Sequence, residues 1–250
     1  MIFAVLQQIV AVFAWIGIAL CTLLFTLLMA FYYPLALLID RDRKGLHRLA
    51  SFWGRCLISL APGCRVQVIG AENLPKNKPV IFACNHQSYV DIPTLFFLPG
   101  QFKWMADAGL FHIPVFGQAL SMAGYIPVKR GDPKAGVAAM AHAKQVLSRG
   151  ISIFIFPEGT RSTTGVLGRF QSGGFRVALA SQTPVVPVLL IGTRQLLPRN
   201  SWYFRWGIRL QVRILPPMQP PADAHGMRLF IHAVRTKMRA EYQRSLKQYR

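Results

Sequence analysis

One short polar stretch, Asn-His-Gln-Ser-Tyr-Val-Asp at residues 85–91, carries the side chains needed for acid–base chemistry. It follows an apolar run, residues 80–84, that predicts a buried strand, and it precedes residues 92–97, which predict the start of a helix. Reactive groups of α/β proteins are commonly held where a strand ends. His86 is able to act there as a general base, with Asp91 fixing the ring tautomer and stabilising the imidazolium that forms.

A purely structural role explains the same histidine and aspartate. Asp91 stands directly before Ile92 and Pro93, which is an ordinary arrangement for a helix N-cap. In addition, the separation of five residues between His86 and Asp91 is not one that a single helix brings together. On spacing alone the N-cap is therefore favoured, and the catalytic pair requires a strand end that turns into a helix.

Two more polar patches follow predicted strands. The strand predicted at residues 151–156 runs into Pro-Glu-Gly-Thr-Arg-Ser at residues 157–162, a glycine-containing loop of the kind that points backbone N–H groups at an anion. Its Arg161 offers a planar guanidinium that matches a phosphate, and Lys129 and Arg130 end another predicted strand. Singly, these patches are explained as a turn with a surface ion pair and as a solvated strand end. Jointly, they predict a site that binds a phosphorylated substrate beside a catalytic base.

The elements that must position these patches alternate between strand and helix, which predicts an α/β fold with a mixed sheet flanked by helices. The predicted strands are residues 65–69, 80–84, 101–105, 124–130, 151–156, 185–191 and 208–214. The predicted helices are residues 109–123, 133–147, 173–181 and a basic amphipathic C-terminal segment that packs on the sheet or rests on lipid. Pro187 in the middle of a strand predicts an edge position or a bulge.

An uncharged apolar segment, residues 9–39, precedes this domain. About 20 such residues are needed to cross a bilayer, so the segment predicts a membrane anchor, either one tilted spanning helix or a shallow helical hairpin. Pro34 is expected to end or bend its last part. A cleaved signal peptide is disfavoured, because no Lys or Arg precedes the run and no small-residue cleavage site follows it.

The net charge of +20, with 29 Lys and Arg against 9 Asp and Glu, indicates contact with an anionic surface. Nucleic acid is disfavoured as the partner, since the basic residues are dispersed and no zinc-finger, helix-turn-helix or RNA-recognition pattern is present. Basic residues directly after the apolar segment place that side in the cytoplasm. We therefore predict a membrane anchor at residues 1–40, an interfacial amphipathic helix at 41–60 and a catalytic domain at 61–250.

The motifs that the chain lacks narrow its chemistry. It has no Gly-x-Ser-x-Gly elbow, P-loop, His-Glu-x-x-His or clustered Cys and His, so a serine acyl-enzyme, nucleotide hydrolysis and a metal site are not indicated. The four cysteines form no Cys-x-x-Cys pair and are predicted to be reduced. A base without a protein nucleophile implies that a hydroxyl group of the substrate attacks directly.

The polar motifs resemble those of the glycerolipid acyltransferases, most closely the 1-acylglycerol-3-phosphate acyltransferases. Four motifs of that family, beginning with Asn-His-x-x-x-x-Asp, occur here in the family's order. They are matched by Asn85, His86 and Asp91 in the first, Arg130 in the second, residues 156–162 in the third and residues 186–187 in the fourth. The similarity covers roughly residues 65–215, and the apolar leader suits the family as well.

This resemblance implies transfer of an acyl chain from an acyl thioester to the sn-2 hydroxyl of 1-acyl-sn-glycerol 3-phosphate, which makes phosphatidic acid. It implies His86 as the general base and Asp91 as its support. The substrate-binding residues that it implies are Lys129, Arg130, Glu158, Gly159, Thr160 and Arg161. No cofactor is implied, and the expected partners are lysophosphatidic acid, acyl-CoA or acyl carrier protein as donor, and anionic membrane lipids. The expected location is a bacterial inner membrane, with the catalytic domain on its cytoplasmic face.

Two positions depart from the family pattern. Residues 107–108 stand where a Lys is common, and Lys129 stands where an Asp commonly precedes the arginine of the second motif. Because the two differences have opposite sign, we predict that Asp107 faces Lys129 as a swapped charge pair. The alternatives to the implied reaction are acylation of another lysolipid, such as a lyso-ornithine lipid or a lysophospholipid, and a non-catalytic basic protein that binds membrane surfaces.

Overall fold

The structure, a computed structural model, describes residues 2–61 and 63–249, and within these residues seven strands form one sheet. The strands are β1 Arg65–Ile69, β2 Ile81–Cys84, β3 Phe102–Asp107, β4 Ile126–Val128, β5 Ser152–Ile155, β6 Val185–Ile191 and β7 Arg209–Ile214. Their order across the sheet is β1-β7-β6-β2-β5-β3-β4. Neighbouring strands are parallel except β6 and β7, which are antiparallel, so the predicted mixed sheet is confirmed.

Helices cover both faces of this sheet. They are α1 Ile2–Ile39, α2 Lys44–Ser59, α3 Asp91–Leu95, α4 Phe116–Met122, α5 Pro133–Ser148, α6 Gly173–Ser181, α7 Thr193–Leu196 and α8 Met227–Gln248. Helices α5, α6 and α8 pack on one face, and α1 to α4 pack on the other. Ile81 and Ala83 of β2 face the first layer, whereas Phe82 and Cys84 face the second. A strand that is buried on both faces needs apolar residues at every position, which explains the continuous apolar run before His86.

The C-terminal helix α8 packs on the sheet, which resolves the choice between sheet and lipid. Its residues Phe230, Val234 and Met238 are buried in the same core as Val185 of β6. Their spacing of four residues places them on one side of the helix. The basic residues of α8 lie on the remaining surface, so the amphipathic pattern reflects a solvated outer face.

Pro187 lies inside the sheet, so the prediction of an edge position is wrong. β6 has β7 on one side and β2 on the other, and Pro187 stands in unbroken register with Ala83. The carbonyl of Pro187 accepts a hydrogen bond from the N–H of Leu215, which directly follows β7. The N–H that proline lacks would point to that same side, and pairing with β7 begins only at Val188. Beyond Val188 the pairing on that side resumes only as the isolated bridge between Val185 and Met218, and the partner segment has one extra residue between these two points. The missing donor therefore falls in an irregular part of the pairing, as the predicted bulge would place it.

The carboxyl ends of β2, β4 and β5 lie at one edge of the sheet, because these strands and β3 between them are mutually parallel. The three polar patches leave the sheet at these ends, as residues 85–91, 129–130 and 157–162. This common edge, with loops outside the strand ends, is where open α/β sheets bind ligands. The predicted convergence of the three patches is therefore confirmed.

The apolar leader is one continuous helix. α1 runs for 38 residues and passes through Pro34, so the shallow hairpin and the termination at Pro34 are both wrong. Its stretch Gln8–Ile39 is long and apolar enough to cross a membrane, judged by length and composition. Large apolar side chains stay exposed along its outer side, among them Leu20, Leu24, Leu27 and Phe31.

Helix α2 runs back along α1, as the predicted amphipathic helix. The indole N–H of Trp53 donates to Thr22 Oγ1 at 3.1 Å, and the rings of Phe25 and Phe52 are 5.6 Å apart. Leu46 of α2 is fully buried against the domain. Because both helices contact the domain, the membrane segment and the sheet are held together by side-chain packing and not only by the chain.

Gly54 of α2 marks a close approach to the buried ring of Phe96. A Cβ at Gly54 would lie 2.5 Å from Phe96 Cδ2, so Gly54→Ala is expected to lower the free energy of unfolding by about 1–3 kcal/mol. Gly136 of α5 faces open space, so Gly136→Ala is expected to raise it by about 0.5–1 kcal/mol through helix propensity. Thermal unfolding of the two variants in detergent measures both shifts. A Gly54→Ala protein as stable as the parent would contradict the close packing of α2.

Candidate active site

His86 and Asp91 are in direct contact. The Nδ1 atom of His86 lies 2.7 Å from Oδ2 of Asp91, and the carboxylate is fully buried while the imidazole is partly exposed. No described residue bonds to the other ring nitrogen of His86, Nε2. A strand end that turns into a helix therefore brings the pair together, and the geometry leaves Nε2 available as a proton acceptor.

The carboxylate of Asp91 organises the loop before the helix. Its Oδ2 atom also accepts hydrogen bonds from the backbone N–H groups of Gln87, at 2.6 Å, and Ser88, at 2.9 Å. These donors precede α3, and the N-cap position of α3 is occupied by Val90, whose side chain forms no capping bond. The N-cap role favoured from spacing is therefore wrong, because the carboxylate turns back toward the strand end and His86.

Asn85 has a structural role. Its side-chain Nδ2 donates to the carbonyl of Leu190 at 3.1 Å, and its Oδ1 accepts from the N–H of the same residue at 2.8 Å. The amide thus imitates one further backbone pair between β2 and β6, one residue beyond the end of β2. This pairing fixes the chain direction at the point where His86 leaves the sheet.

Glu158 holds the loop of residues 157–162, which we call the third-motif loop, against His86. Its two carboxylate oxygens accept the N–H of His86, at 3.2 Å, and the N–H of Gly168, at 2.7 Å. Burial raises the pKa of Glu158, and the hydrogen bonds from Gly168 and His86 oppose that shift. Both oxygens are engaged by backbone groups, which suits a residue that orients the loop.

The same loop contacts His86 in two further ways that the sequence did not indicate. The ring of Phe156 stacks on the imidazole at 4.0 Å with an interplanar angle of 17°, and the N–H of Ser162 donates to the carbonyl of His86 at 2.7 Å. The stacked ring restricts rotation of the imidazole. A histidine held on both sides is preorganised for proton transfer.

A second unpredicted contact links α8 to this site. The amide Nε2 of Gln87 lies 2.8 Å from the hydroxyl of Tyr242 and 3.0 Å from the carbonyl of Gly165. Burial raises the pKa of Tyr242. Gln87 in turn donates its backbone N–H to Asp91. Tyr242 was visible in the sequence only as part of a helix, so no local signal announced this contact.

Arg161 lies at the substrate side of the third-motif loop. Its guanidinium stacks on the exposed ring of Tyr89, with Cζ 3.6 Å from the ring centroid. Its Nη1 atom is buried without a hydrogen-bond partner among the described residues. Arg130 approaches from the end of β4, two strands away from β5, since a Cβ at Gly159 would lie 3.8 Å from its guanidinium carbon. Two guanidiniums thus border the backbone of residues 159–161.

The predicted pairing of Asp107 with Lys129 is wrong. Asp107 pairs with Arg130, at 3.4 Å, and Lys129 pairs with Asp132, also at 3.4 Å. The register explains the difference, because Asp107 stands opposite Val128 in the β3–β4 ladder. Side chains alternate along a strand, so the residue two beyond Val128 shares the side of Asp107, whereas Lys129 points away. Lys129 therefore lies outside the cluster formed by His86, Arg130 and Arg161.

Lys103 is also distant from the polar cluster. It is buried, and its ammonium donates to the carbonyls of Ala123, at 2.7 Å, and Arg43, at 3.3 Å. Burial and then the charge of Arg43 lower its pKa to about 8. Lys103 therefore fastens the turn before α2 to the sheet. No three His, Cys, Asp or Glu side chains cluster as metal ligands in the described part of the chain.

An apolar cavity of about 660 Å³ opens at the polar cluster. Its polar end includes His86, Tyr89, Arg130, Thr160 and Arg161. The apolar helix α1 forms part of its wall through Ile18, Thr22, Phe25 and Met29, and α2 adds Trp53, Leu57 and Ile58. A cavity with apolar walls and a polar end is able to hold a hydrocarbon chain with its head group at the histidine.

Comparison with known proteins matches the family model described as Acyltransferase to residues 65–191. The chain is 41% identical over 176 residues to the chloroplastic 1-acyl-sn-glycerol-3-phosphate acyltransferase BAT2 of Brassica napus, covering 70% of this chain and 51% of that protein. It is 32% identical over 158 residues to 1-acyl-sn-glycerol-3-phosphate acyltransferase alpha of Bos taurus, covering 62% and 55%. The chain thus spans about half the length of these curated relatives.

The fold is shared with a solved structure. The crystal structure of the 1-acyl-sn-glycerophosphate (LPA) acyltransferase PlsC from Thermotoga maritima matches with a TM-score of 0.78 over 96% of this chain and 97% of that chain, at 24% identity. The family model covers half of the chain and includes the strand ends that carry His86, Arg130 and Arg161. The chain therefore belongs to the acyltransferase family.

Proposed function

We propose that this protein transfers an acyl chain from an acyl thioester to the sn-2 hydroxyl of 1-acyl-sn-glycerol 3-phosphate. The observation that carries the proposal is the His86–Asp91 pair at the polar end of an apolar cavity, beside Arg130 and Arg161. A base, an anion site and a hydrocarbon site in one place match the three parts of a lysophosphatidic acid: hydroxyl, phosphate and acyl chain. The names of the acyltransferase relatives agree with this substrate.

In the proposed reaction, His86 removes the proton from the substrate hydroxyl through Nε2. Asp91 keeps the remaining ring proton on Nδ1 and stabilises the imidazolium. The hydroxyl oxygen bonds to the thioester carbon, which forms a tetrahedral intermediate. When the C–S bond breaks, the imidazolium returns its proton to the departing sulfur, so the thiol leaves and the histidine is restored.

The oxyanion of that intermediate needs hydrogen-bond donors. The backbone N–H groups of Thr160 and Arg161 have no acceptor among the described residues, and both residues border the cavity next to His86. They follow Gly159, whose φ of +71° turns the chain at this point. We assign these two N–H groups as the donors, since fixed backbone dipoles stabilise developing charge without reorganisation.

The phosphate of the acceptor is assigned to Arg161 and Arg130. The buried Nη1 of Arg161 lacks a partner among the described residues, and a phosphate oxygen would supply one. Arg130 pairs with the partly exposed Asp107, which leaves further N–H groups of its guanidinium for the same anion. We assign Gly159 and Thr160 to backbone contacts with the head group, and Glu158 to loop positioning. Lys129 remains a more distant positive charge.

The proposed setting is the cytoplasmic face of a bacterial inner membrane. Helix α1 supplies an apolar outer side, and the net charge of +20 favours anionic lipids. The donor is acyl-CoA or acyl carrier protein, both of which are acidic and suit a basic protein. No cofactor takes part in the proposed steps.

A panel of acceptors tests the proposed function directly. Purified protein in lipid vesicles is given acyl-CoA with lysophosphatidic acid, other lysophospholipids or a lyso-ornithine lipid, and the products are identified by mass spectrometry. We expect phosphatidic acid as the main product. Preferential acylation of a lysolipid without a phosphomonoester would contradict the assigned acceptor, and no thiol release with any acceptor would favour a non-catalytic membrane-binding protein.

The contact between Tyr242 and Gln87 gives a prediction about distant support of the site. Tyr242→Phe removes the hydroxyl that bonds to Gln87 and is expected to lower kcat about 2- to 10-fold with little change in KM. Tyr249→Phe is the matched control, because its hydroxyl on the same helix bonds to the carbonyl of Arg209 instead. We expect the control to keep its kcat. Equal losses in both variants would indicate general weakening of α8.

A further inference from the structure

Two arginines from outside the third motif bind the outer side of the third-motif loop. Arg199 Nη1 donates to the carbonyl of Arg161 at 3.2 Å, and Arg194 Nη2 donates to the carbonyl of Thr163 at 3.1 Å. Neither arginine lines the apolar cavity. We call residues 161–165 the arginine-bound loop. Its outer side presents two guanidiniums, and its inner side carries the Arg161 side chain assigned to the acceptor.

One peptide group connects this outer side to the base. The peptide between Arg161 and Ser162 donates its N–H to the carbonyl of His86 at 2.7 Å, and its C=O accepts from Arg199. The N–H and C=O of a trans peptide point in opposite directions. Arg199 therefore lies directly across a single peptide from the backbone of His86, outside the cavity.

The position of the Arg194 guanidinium depends on a glycine. Gly165 has a φ of +82°, and a Cβ at this position would overlap Nη1 of Arg194. The turn around it is closed by the Ser162 hydroxyl, which accepts the N–H of Gly165 at 3.0 Å and donates to the carbonyl of Val166 at 2.8 Å. The guanidinium of Arg194 is thus held against backbone in a fixed place, unlike a mobile surface arginine.

The described residues provide no ion-pair partner for these positive charges. No carboxylate of the described residues forms an ion pair with Arg161, Arg194 or Arg199. Each of the two outer guanidiniums uses one N–H on a carbonyl, and a guanidinium has five. Like charges that bind one short loop repel each other, and an anion between them would relieve that repulsion. The outer side of the loop therefore offers free guanidinium N–H groups to a second anion.

We propose that Arg194 and Arg199 bind phosphate groups of the acyl donor. This inference rests on the proposed function, in which the acceptor's single phosphate is already met by Arg161 and Arg130. The donor carries its thioester on a pantetheine arm whose far end bears phosphate, both in CoA and in acyl carrier protein. With the thioester carbon beside His86 Nε2, the arm would have to leave the cavity past the arginine-bound loop for its phosphates to reach Arg194 and Arg199, and this is the path that we propose.

Steady-state kinetics with a series of donors tests the assignment. Arg194→Gln and Arg199→Gln are each expected to raise KM for acyl-CoA about 10-fold, with KM for lysophosphatidic acid unchanged. With an acyl-pantetheine thioester, which has no phosphate, the variants and the parent are expected to have equal KM. Arg205→Gln is the matched control, because Arg205 is an exposed arginine whose backbone bonds to Leu196 and whose side chain forms no hydrogen bond or ion pair with the described residues.

The outcomes separate the sources of the phosphate. If the variants also have a raised KM for an acyl-4′-phosphopantetheine thioester, the arginines bind the pantetheine phosphate that CoA and carrier protein share. If KM is raised for acyl-CoA alone, the arginines bind the nucleotide phosphates of CoA. Both results support the proposal. A rise in KM for lysophosphatidic acid alone would assign the arginines to the acceptor and overturn it. An equal rise in KM with acyl-pantetheine would show that the two arginines only support the loop. That result would also overturn the proposal.

A binding measurement keeps this inference separate from the proposed function. The Kd of CoA without an acyl chain is measured by calorimetry for the parent, the two variants and Arg205→Gln. We expect weaker CoA binding, about 10-fold in each variant, and no change for Arg205→Gln. A parent protein that turns over no acceptor but shows this pattern would contradict the proposed reaction and leave the anion site standing. CoA binding that is indifferent to both arginines would refute the site itself.

Discussion

His86→Ala is expected to lower kcat about 10²- to 10⁴-fold, which is the usual contribution of a positioned general base. The backbone bonds of His86 with Glu158 and Ser162 do not involve the imidazole, so the loop is expected to keep its course. The structural costs are the lost hydrogen bond to the fully buried carboxylate of Asp91 and the lost stacking on Phe156, and we expect the free energy of unfolding to fall by about 1–3 kcal/mol. Phosphatidic acid formation, followed by mass spectrometry with lysophosphatidic acid and acyl-CoA, measures the loss.

His232→Ala is the control for this experiment. His232 is exposed on α8 and takes no part in the site, so its removal should leave kcat unchanged. Thermal unfolding of both variants verifies that the fold is retained. If the His86→Ala protein kept a rate near that of the parent, the base mechanism would be refuted.

Asp91→Asn is expected to lower kcat about 10³- to 10⁴-fold, since the uncharged amide no longer stabilises the imidazolium or enforces its tautomer. The amide retains an oxygen that is able to accept some of the bonds from His86, Gln87 and Ser88. Its NH₂ group would, however, take a buried position where Oδ1 now has no partner among the described residues. We therefore also expect a loss of about 1–3 kcal/mol in the free energy of unfolding.

The control for the buried carboxylate is Asp223→Asn. Asp223 is exposed, and its carboxylate bonds only to its own turn at His225 and Gly226. We expect parent-like kcat in this variant. A large drop in kcat for Asp91→Asn, measured at a temperature where thermal unfolding shows the variant to be folded, would assign the effect to chemistry. A small drop in kcat would show that Asp91 serves only the loop.

The sequence predicted the site well where it depends on strand ends. Apolar runs identified β2 and β5, and because parallel strands end at one edge, residues 85–91 and 157–162 were expected to meet. The chemistry predicted for His86 and Arg161 follows from residue type, and it remains a prediction. The uncertain point was Asp91, whose spacing suits an N-cap as well as a histidine partner. Only the direction in which the chain leaves β2 decides between them.

The failures share a physical origin in contacts between distant segments. The partner of Asp107 depends on the β3–β4 register, and a shift of one residue would exchange Arg130 for Lys129. The hydrogen bond between Gln87 and Tyr242 joins residues that are 155 positions apart, and no local sequence pattern predicts it. A rule about missing donors predicted an edge or a bulge at Pro187, but the choice depends on how the distant segment after β7 pairs with β6.

The two sides of α1 face different surroundings. Ile18, Thr22, Phe25 and Met29 border the cavity, whereas Leu20, Leu24, Leu27 and Phe31 are directed outward. The residues on the two sides of α1 are therefore expected to be under different constraints. One side has to fit the acyl chain, and the other has to partition into lipid. If the proposed function is right, replacing α1 by an unrelated spanning helix is expected to keep the protein at the membrane and to alter which acyl chains it accepts. In evolutionary terms, we expect that this helix is not exchangeable as a module, because it also lines the cavity.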